Sequence, residues 1–377
     1  MKNANILFFA DRLPPLIGGM EMHADYFIKY FTNSQKFPIS GIITKDKDGT
    51  DCIIIESRLI PIQIDTLRDR FNPSIIFFNS GRWIEIISYI RKIFPNTIFI
   101  YRTGGNEILK ASLSEERQIL HHSRQAFWAQ TLNNNIDILI TNSKYTEQRL
   151  RKIGIKCKFE RFVGGVNSSA ILSFLKSNIP DKSSELRIFC AARFVPYKNH
   201  TLLISIIQRL YLREHKIKLR LAGEGPLLDS IKEQVSHAGL NEVVMFLGSL
   251  SNIDVCKEIA QADIYMQLSK DFLTEVPGGS YIHSEGMGRS ILEALSAGTY
   301  VVAGYSGALN EIINSRKGVL IDLKKPTEEL ADEVEKVIKR PIKKSNFTDK
   351  FCWTKLFQRY EKVFEEMHEN IISNRKM

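Results

Sequence analysis

Two glutamates, Glu285 and Glu293, stand eight residues apart in the stretch His283–Gly298. Gly286 and Gly288 break the chain after the first. The second sits inside the apolar run Ser290–Ala297, which reads as a helix stopped by Gly298. A glycine loop opening a helix leaves backbone N–H groups aimed at whatever docks there, and the helix dipole favours an anion. Carboxylates do not bind phosphates; they suit hydrogen bonds donated by sugar hydroxyls. Gly286-Met287-Gly288 is therefore a candidate phosphate cradle, with Glu285 reaching one end of a ligand and Glu293 the other. Taken alone, the pair fits a capping loop and a solvated helix face equally well.

A cationic pair is the second candidate. Arg193 and Lys198 follow the strand pattern Leu186–Ala192 and precede the apolar helix Thr201–Leu212. Arginine offers a planar fork and lysine a point charge, and both suit a diphosphate at a helix N-terminus. Further glycines close other strands. Gly18-Gly19 precede the helical stretch Met22–Thr32, Gly223 and Gly225 follow the strand Ile217–Ala222, and Gly248 ends Val243–Leu247. The place of a third glycine after Gly225 is held by Leu228, so a nicotinamide-type fingerprint is rejected. Arg102-Thr103-Gly104-Gly105-Asn106-Glu107 closes the strand Thr97–Tyr101, and Arg102 suits a phosphate or an acidic acceptor.

Glu285-Gly-Met-Gly, Glu293-Ala-Leu-Ser-Ala-Gly298 and Gly307-Ala-Leu-Asn-Glu311-Ile-Ile together resemble the C-terminal signature of the family-4 glycosyltransferases of GT-B fold. In that family the motif binds the sugar and ribose of a nucleotide-sugar donor. The resemblance implies that Arg193 and Lys198 stabilise the leaving diphosphate, with Glu285 as the third catalytic residue. It implies that Gly18, Gly19, Gly223, Gly225, Gly248, Gly286, Met287, Gly288 and Glu293 bind the donor. Gly18, Gly19, Glu21 and His23 match a Pro…Gly-Gly-x-Glu-x-His pattern of the family. Arg102, Gly104, Gly105 and His283 are assigned to the acceptor or sugar side. The family transfers with retention of configuration and without a metal, so no cofactor and no metal site are expected.

The chain departs from the family in four places. Ala192 stands where a glycine is usual, and Arg102 where many relatives carry a histidine. Val163-Gly-Gly165-Val166-Asn167 keeps only Gly165-Val166 of the usual Asn-Gly-Val-Asp. The run Glu275–His283 lengthens the approach to Glu285 and is expected to shape donor or acceptor choice. Asp46-Lys47-Asp48-Gly49 resembles the D-x-D metal motif of the GT-A fold, but it lies between lysines in a polar turn and reads as a solvated loop. Its glycine also comes too early for a calcium loop.

The elements that must hold these residues read as an α/β chain. Asn5–Ala10, Ile39–Thr44, Ser74–Asn79, Thr97–Tyr101 and Asp137–Thr141 read as strands, with helices such as Met22–Thr32 and Trp83–Phe94 between them. Such alternation predicts doubly wound parallel sheets, whose ligands bind outside the carboxyl ends of the strands. The expected fold is GT-B: two facing Rossmann-like domains with a cleft between them, residues 1–168 on the acceptor side and 169–350 on the donor side. Residues 351–377 form a helix, expected to cross back to the first domain. Its stripe Phe351, Trp353, Leu356, Phe357, Tyr360, Val363, Phe364, Met367 reads as core. Asn178–Glu185 reads as a linker. Glu115–Leu132 reads as a packed helix, with a membrane- or acceptor-facing role as the alternative.

Length and composition agree. The 377 residues suffice for two domains, and the hydrophobic and charged shares are those of a globular protein. No apolar run approaches the ~20 residues that span a bilayer. The N-terminal apolar run is too short for a signal-peptide core. The five cysteines are scattered and odd in number, which predicts a reduced, cytoplasmic protein. The net charge of +10 points to a nucleic acid, an anionic membrane or a phosphorylated substrate. No nucleic-acid motif is visible, so no nucleic acid is expected. Membrane and phosphate fit a saccharide or lipid-pyrophosphate-linked acceptor, in surface polysaccharide assembly such as lipopolysaccharide or capsule. The densely basic Arg149–Arg161 is read as a solvated helix end or as an anionic-lipid contact. Two alternatives remain open: a GT-B enzyme on soluble substrates, such as a nucleotide-sugar epimerase or sugar-phosphate synthase, and an inactive nucleotide-binding partner subunit.

Overall fold

A computed structural model of the chain describes residues 4–13, 18–45, 50–55, 58–110, 121–177, 185–276, 279–340, 342 and 345–374. The Asp46–Gly49 turn, most of the expected linker and the start of the helix expected over 115–132 lie outside the described residues. The chain divides into two compact units. The first comprises Met1–Val163, Glu275–Tyr281 and Thr354–Met377; the second comprises Gly164–Thr274 and Ile282–Trp353.

The first unit carries an eight-stranded sheet built from β1 (Ile6–Ala10), β2 (Ile39–Lys45), β3 (Asp51–Ile55), β4 (Arg58–Pro61), β5 (Ile75–Asn79), β6 (Ile98–Arg102), β7 (Ile138–Thr141) and β8 (Lys158–Arg161). The order is β4-β3-β2-β1-β5-β6-β7-β8, with β3 and β4 antiparallel at one edge and the other pairs parallel. β1, β5 and β7 are buried at every position because helices cover both faces, which is why they read as unbroken apolar runs. The expected helix Trp83–Phe94 is a 3-10 turn, Gly81–Glu85, followed by the helix Ile87–Ile93. The basic stretch after Arg149 ends in β8, an edge strand with charged ends, and such charges discourage edge-to-edge pairing. Its charge is partly neutralised, since Arg151 and Arg161 both pair with Glu147 and Lys158 pairs with Glu160.

The C-terminal helix Trp353–Asn374 buries Leu356, Phe357, Tyr360, Val363 and Phe364. Within the first unit these rings meet Phe27, Phe31 and Phe77, with Tyr360 and Phe77 stacked at 5.9 Å. The stripe is core. The described part of the 115–132 helix is His121–Asn135; it buries Trp128 and Leu132 and leaves Phe127 exposed.

The second unit holds a six-stranded parallel sheet made of β9 (Leu186–Ala191), β10 (Ile217–Ala222), β11 (Val244–Phe246), β12 (Ile264–Gln267), β15 (Tyr300–Gly304) and β16 (Gly318–Ile321), in the order β11-β10-β9-β12-β15-β16. Between β12 and β15 the chain inserts a separate two-stranded sheet, β13 (Phe272–Val276) and β14 (Gly279–His283). The helix Arg289–Ala297 then returns beneath the sheet, seven of its nine residues buried. Gly298 ends it at φ +78°; a Cβ there would stand 1.9 Å from the carbonyl oxygen of Ser345, so only glycine fits.

Candidate functional site

The second unit brings Lys198 and Glu285 together at the carboxyl ends of β9 and β12. Lys198 ends a short 3-10 turn, Pro196–Lys198, and Asn199 in a left-handed conformation caps the helix His200–Leu212. Lys198 Nζ donates to Glu285 Oε2 at 2.5 Å, and each side chain is 13% exposed. Gln267 Nε2 (3.1 Å) and Ser269 Oγ (3.0 Å) donate to the same oxygen. Gln267 is itself oriented: its Oε1 faces the hydroxyls of Tyr265 and Ser290, which leaves its amide to donate to Ser269 and Glu285. Oε1 of Glu285 takes no hydrogen bond from the described residues and stays available to a ligand hydroxyl. Burial alone raises the Glu285 pKa; Lys198, Ser269 and the nearby His283 outweigh it, and the net shift is downward. The carboxylate is thus held charged, with one oxygen anchored.

The backbone of Glu285 is fixed separately. Its N–H donates to Ser306 Oγ (3.1 Å), and its carbonyl accepts from the N–H of Ala308 (2.8 Å). Gly307, at φ +52°, lets the two loops touch: a Cβ there would lie 2.1 Å from the Glu285 carbonyl oxygen. Gly288 caps the helix Arg289–Ala297 in the left-handed region, at φ +69°. Glu293 is 2% exposed and accepts from Asn252 Nδ2 at 2.8 Å. Burial raises its pKa, against the opposing influence of Arg289 and then Asn252.

Arg193 is exposed and its guanidinium donates to the Tyr197 hydroxyl at 2.7 Å. The Tyr197 ring lies on His283, with centroids 3.7 Å apart. Gly223 and Gly225 serve the chain itself, since a Cβ at either would strike the carbonyl oxygen of Ala192 (2.2 Å) or Phe194 (2.5 Å). Their loop also accepts the N–H of Phe194 at Glu224, so the glycines fix the Arg193 loop from behind. Gly248, at φ +66°, has open space on its Cβ side.

In the first unit Gly18 caps the helix Gly19–Thr32 in extended conformation. The Glu21 carboxylate folds back to within 2.2 Å of where a Gly18 Cβ would be, so a carboxylate already accompanies the first-turn N–H groups. His23 is fully buried, bonds Tyr360 (3.2 Å), and has its pKa pushed well down by burial and then by Arg102. Arg102 Nη1 is tied to Met20 Sδ (2.9 Å) and Asn79 Oδ1 (3.4 Å). Glu107 gathers Ser80 Oγ, Thr103 Oγ1 and the N–H of Gly104, while Gly105 at φ +95° packs on Thr146.

Gln267, Ser269, Asp271, Ser306, Asn252 and Tyr197 escaped the sequence analysis. One signal was present: Gln267, like Asn79 in the first unit, is a polar residue ending an otherwise apolar parallel strand, where such sheets bind ligands. Among the described residues no group of three His, Cys, Asp or Glu is placed to hold a metal ion, and no helix is long and apolar enough to cross a membrane.

Residues 173–350 match the family model described as glycosyl transferases group 1. The GDP-mannose-dependent alpha-(1-6)-phosphatidylinositol monomannoside mannosyltransferase of Mycolicibacterium smegmatis is 26% identical over 344 residues, covering 84% of this chain and 85% of that one. The GDP-mannose-dependent monoacylated alpha-(1-6)-phosphatidylinositol monomannoside mannosyltransferase of Corynebacterium glutamicum is 26% identical over 362 residues, 89% and 90% of the two chains. Among solved structures, Anabaena HepE in complex with UDP and glucose has a TM-score of 0.70 at 15% identity, covering 97% of this chain and 100% of that one. With the matched segment lying over the Lys198–Glu285 site, and the likeness in fold running the length of the chain, this protein is a glycosyltransferase of the GT-B type.

Proposed function

We propose that the chain moves a sugar from a nucleotide-sugar donor to a lipid-linked or saccharide acceptor, with retention of configuration and without a metal. The observation that carries this reading is the buried Lys198–Glu285 pair, which leaves Glu285 Oε1 as a charged, unshared acceptor for sugar hydroxyls. As the sugar–phosphate bond breaks, negative charge develops on the diphosphate and positive charge on the sugar. Arg193, the two remaining N–H groups of Lys198 and the helix N-terminus after Gly288 face the first. Glu285 holds the sugar, and Glu293 accepts from the ribose. The mannosyltransferases named above put GDP-mannose first among donors to try and support a lipid-borne acceptor; a role in surface polysaccharide assembly is the alternative.

The test is donor hydrolysis and thermal shift against GDP-mannose and a panel of UDP- and GDP-sugars, with Glu285→Ala and Arg193→Ala as controls. A donor at ~100 times its dissociation constant adds about 2.7 kcal/mol of stability. One sugar nucleotide should stabilise the wild type and be turned over, and both effects should vanish in the controls. Stabilisation without turnover against any acceptor favours the inactive-subunit alternative, and no response to any nucleotide sugar refutes the reading.

A further inference from the structure

We propose that the inserted hairpin β13–β14 is a positioning device, setting Arg193 through Tyr197 and His283 and setting Glu285 through Asp271 and Ser306. This rests on the donor site proposed above and goes beyond it, because the hairpin residues themselves need not touch donor. A two-stranded sheet has little stability of its own; the middle of this one, Glu275–Tyr281, belongs to the first unit, while its two feet belong to the second. In the second unit each foot is bonded beside a site residue.

At the entry foot, Lys270 N–H donates to the Tyr197 carbonyl at 2.8 Å. Asp271 Oδ1 accepts from Ser306 Oγ (2.8 Å) and from the N–H of Gly307 (3.2 Å). The Ser306 hydroxyl gives its proton to Asp271 and so turns a lone pair toward the Glu285 N–H. Asp271 therefore dictates which way Ser306 faces, and Ser306 holds the backbone of Glu285. At the exit foot, His283 closes β14 two residues before Glu285 and lies against the Tyr197 ring. The Tyr197 hydroxyl is the acceptor that fixes the otherwise exposed Arg193 guanidinium. Both charged partners of the departing diphosphate and sugar are thus referenced to one insertion.

Tyr197→Phe, Asp271→Ala, His283→Ala and His283→Phe test this. Asp271 is exposed and Tyr197→Phe removes one oxygen, so melting temperatures should stay within a few degrees of wild type. Tyr197→Phe and Asp271→Ala should lower kcat ~10- to 100-fold with KM within about twofold, the scale of a small misplacement of catalytic groups. His283→Phe, which keeps a ring on Tyr197, should restore most of what His283→Ala loses. In the absence of turnover, UDP and GDP titrations serve: Tyr197→Phe should weaken the nucleotide that wild type binds, at unchanged melting temperature. Variants equal to wild type overturn the positioning role while leaving the donor site standing. So does loss of rate only in proportion to lost fold, or no difference between the two His283 variants. Wild type that binds neither UDP nor GDP and turns over no sugar nucleotide overturns the donor site, and the positioning role with it.

Discussion

Lys198 and Glu285 meet at 2.5 Å although 87 residues separate them in the chain, and neither side chain is more than 13% exposed. Their union changes what a lysine deletion does. From the sequence, Lys198→Ala is expected to abolish transfer with the fold intact. In the structure the lysine also neutralises a buried carboxylate, and removing one partner of such a pair costs about 3–5 kcal/mol. Lys198→Ala is therefore expected to lose ~10²–10³ in kcat and to lower the melting temperature as well. Adding Glu285→Gln should recover stability but not activity. Equal melting curves for Lys198→Ala and wild type would show that the pair does not form.

His200 supplies a pH dependence of stability. It is 3% exposed, stacked on Phe194 with centroids 4.2 Å apart, and burial, then Lys198, pushes its pKa down to about 4. The folded value lies below the unfolded value of ~6.5, so the unfolded chain binds the proton first. The contribution is complete above pH ~6.5 and is lost as pH falls toward the folded value; the part lost at pH 5.0 is about 2 kcal/mol. Urea unfolding at pH 7.5 and 5.0 should show a larger acid loss for wild type than for His200→Leu. The buried His23, shifted in the same direction, is common to both chains and cancels. An identical acid loss in the two would sink the assignment.

Much of the scaffold was legible because burial on both faces writes itself into composition. β1, β5, β7 and β12 are buried throughout, and they appear in the sequence as apolar runs. Gly298 was legible as a helix stop because only glycine tolerates that backbone. The hairpin β13–β14 lies in the run that lengthens the approach to Glu285, where Val276-Pro-Gly-Gly279 between β-branched and aromatic residues is a hairpin signal. The pairings were not legible. Nothing local distinguishes Asp271 or Tyr197 from a surface residue; their roles depend on Ser306 and His283, which only the tertiary fold brings near. The glycines at 223 and 225 illustrate the converse. Their spacing points to a ligand, while the steric demand comes from the neighbouring Ala192 and Phe194 carbonyls.

Gly307 should be hard to replace. At φ +52° with the Glu285 carbonyl oxygen 2.1 Å from an added Cβ, an alanine meets both backbone strain and a rigid neighbour. Gly239, at φ +69° with nothing within 4 Å, isolates the strain alone. Gly239→Ala is expected to cost ~1 kcal/mol. Gly307→Ala should cost clearly more and also weaken sugar-nucleotide turnover, because Glu285 must move. Urea midpoints and kcat for the two variants check this, and similar costs at both positions would mean that the loop yields.

Asn252 tests whether Glu293 acts as a charged acceptor for the donor ribose. Glu293 has its pKa raised by burial, held back by Arg289 and by the hydrogen bond from Asn252. A carboxylate accepts from two ribose hydroxyls, whereas the protonated acid keeps one oxygen occupied by its own proton. Nucleotide affinity should therefore fall as pH drops through the Glu293 pKa. Asn252→Ala removes one of the groups that favour the charged form, so the fall should begin at higher pH than in wild type. At neutral pH Glu293, no longer oriented by that hydrogen bond, should hold UDP or GDP less tightly than in wild type. Calorimetric titration of both nucleotides across pH 5–8 reads both effects. If the affinity profile of Asn252→Ala runs parallel to that of wild type at every pH, Glu293 does not bind as a titrating carboxylate, and its place in the donor site falls.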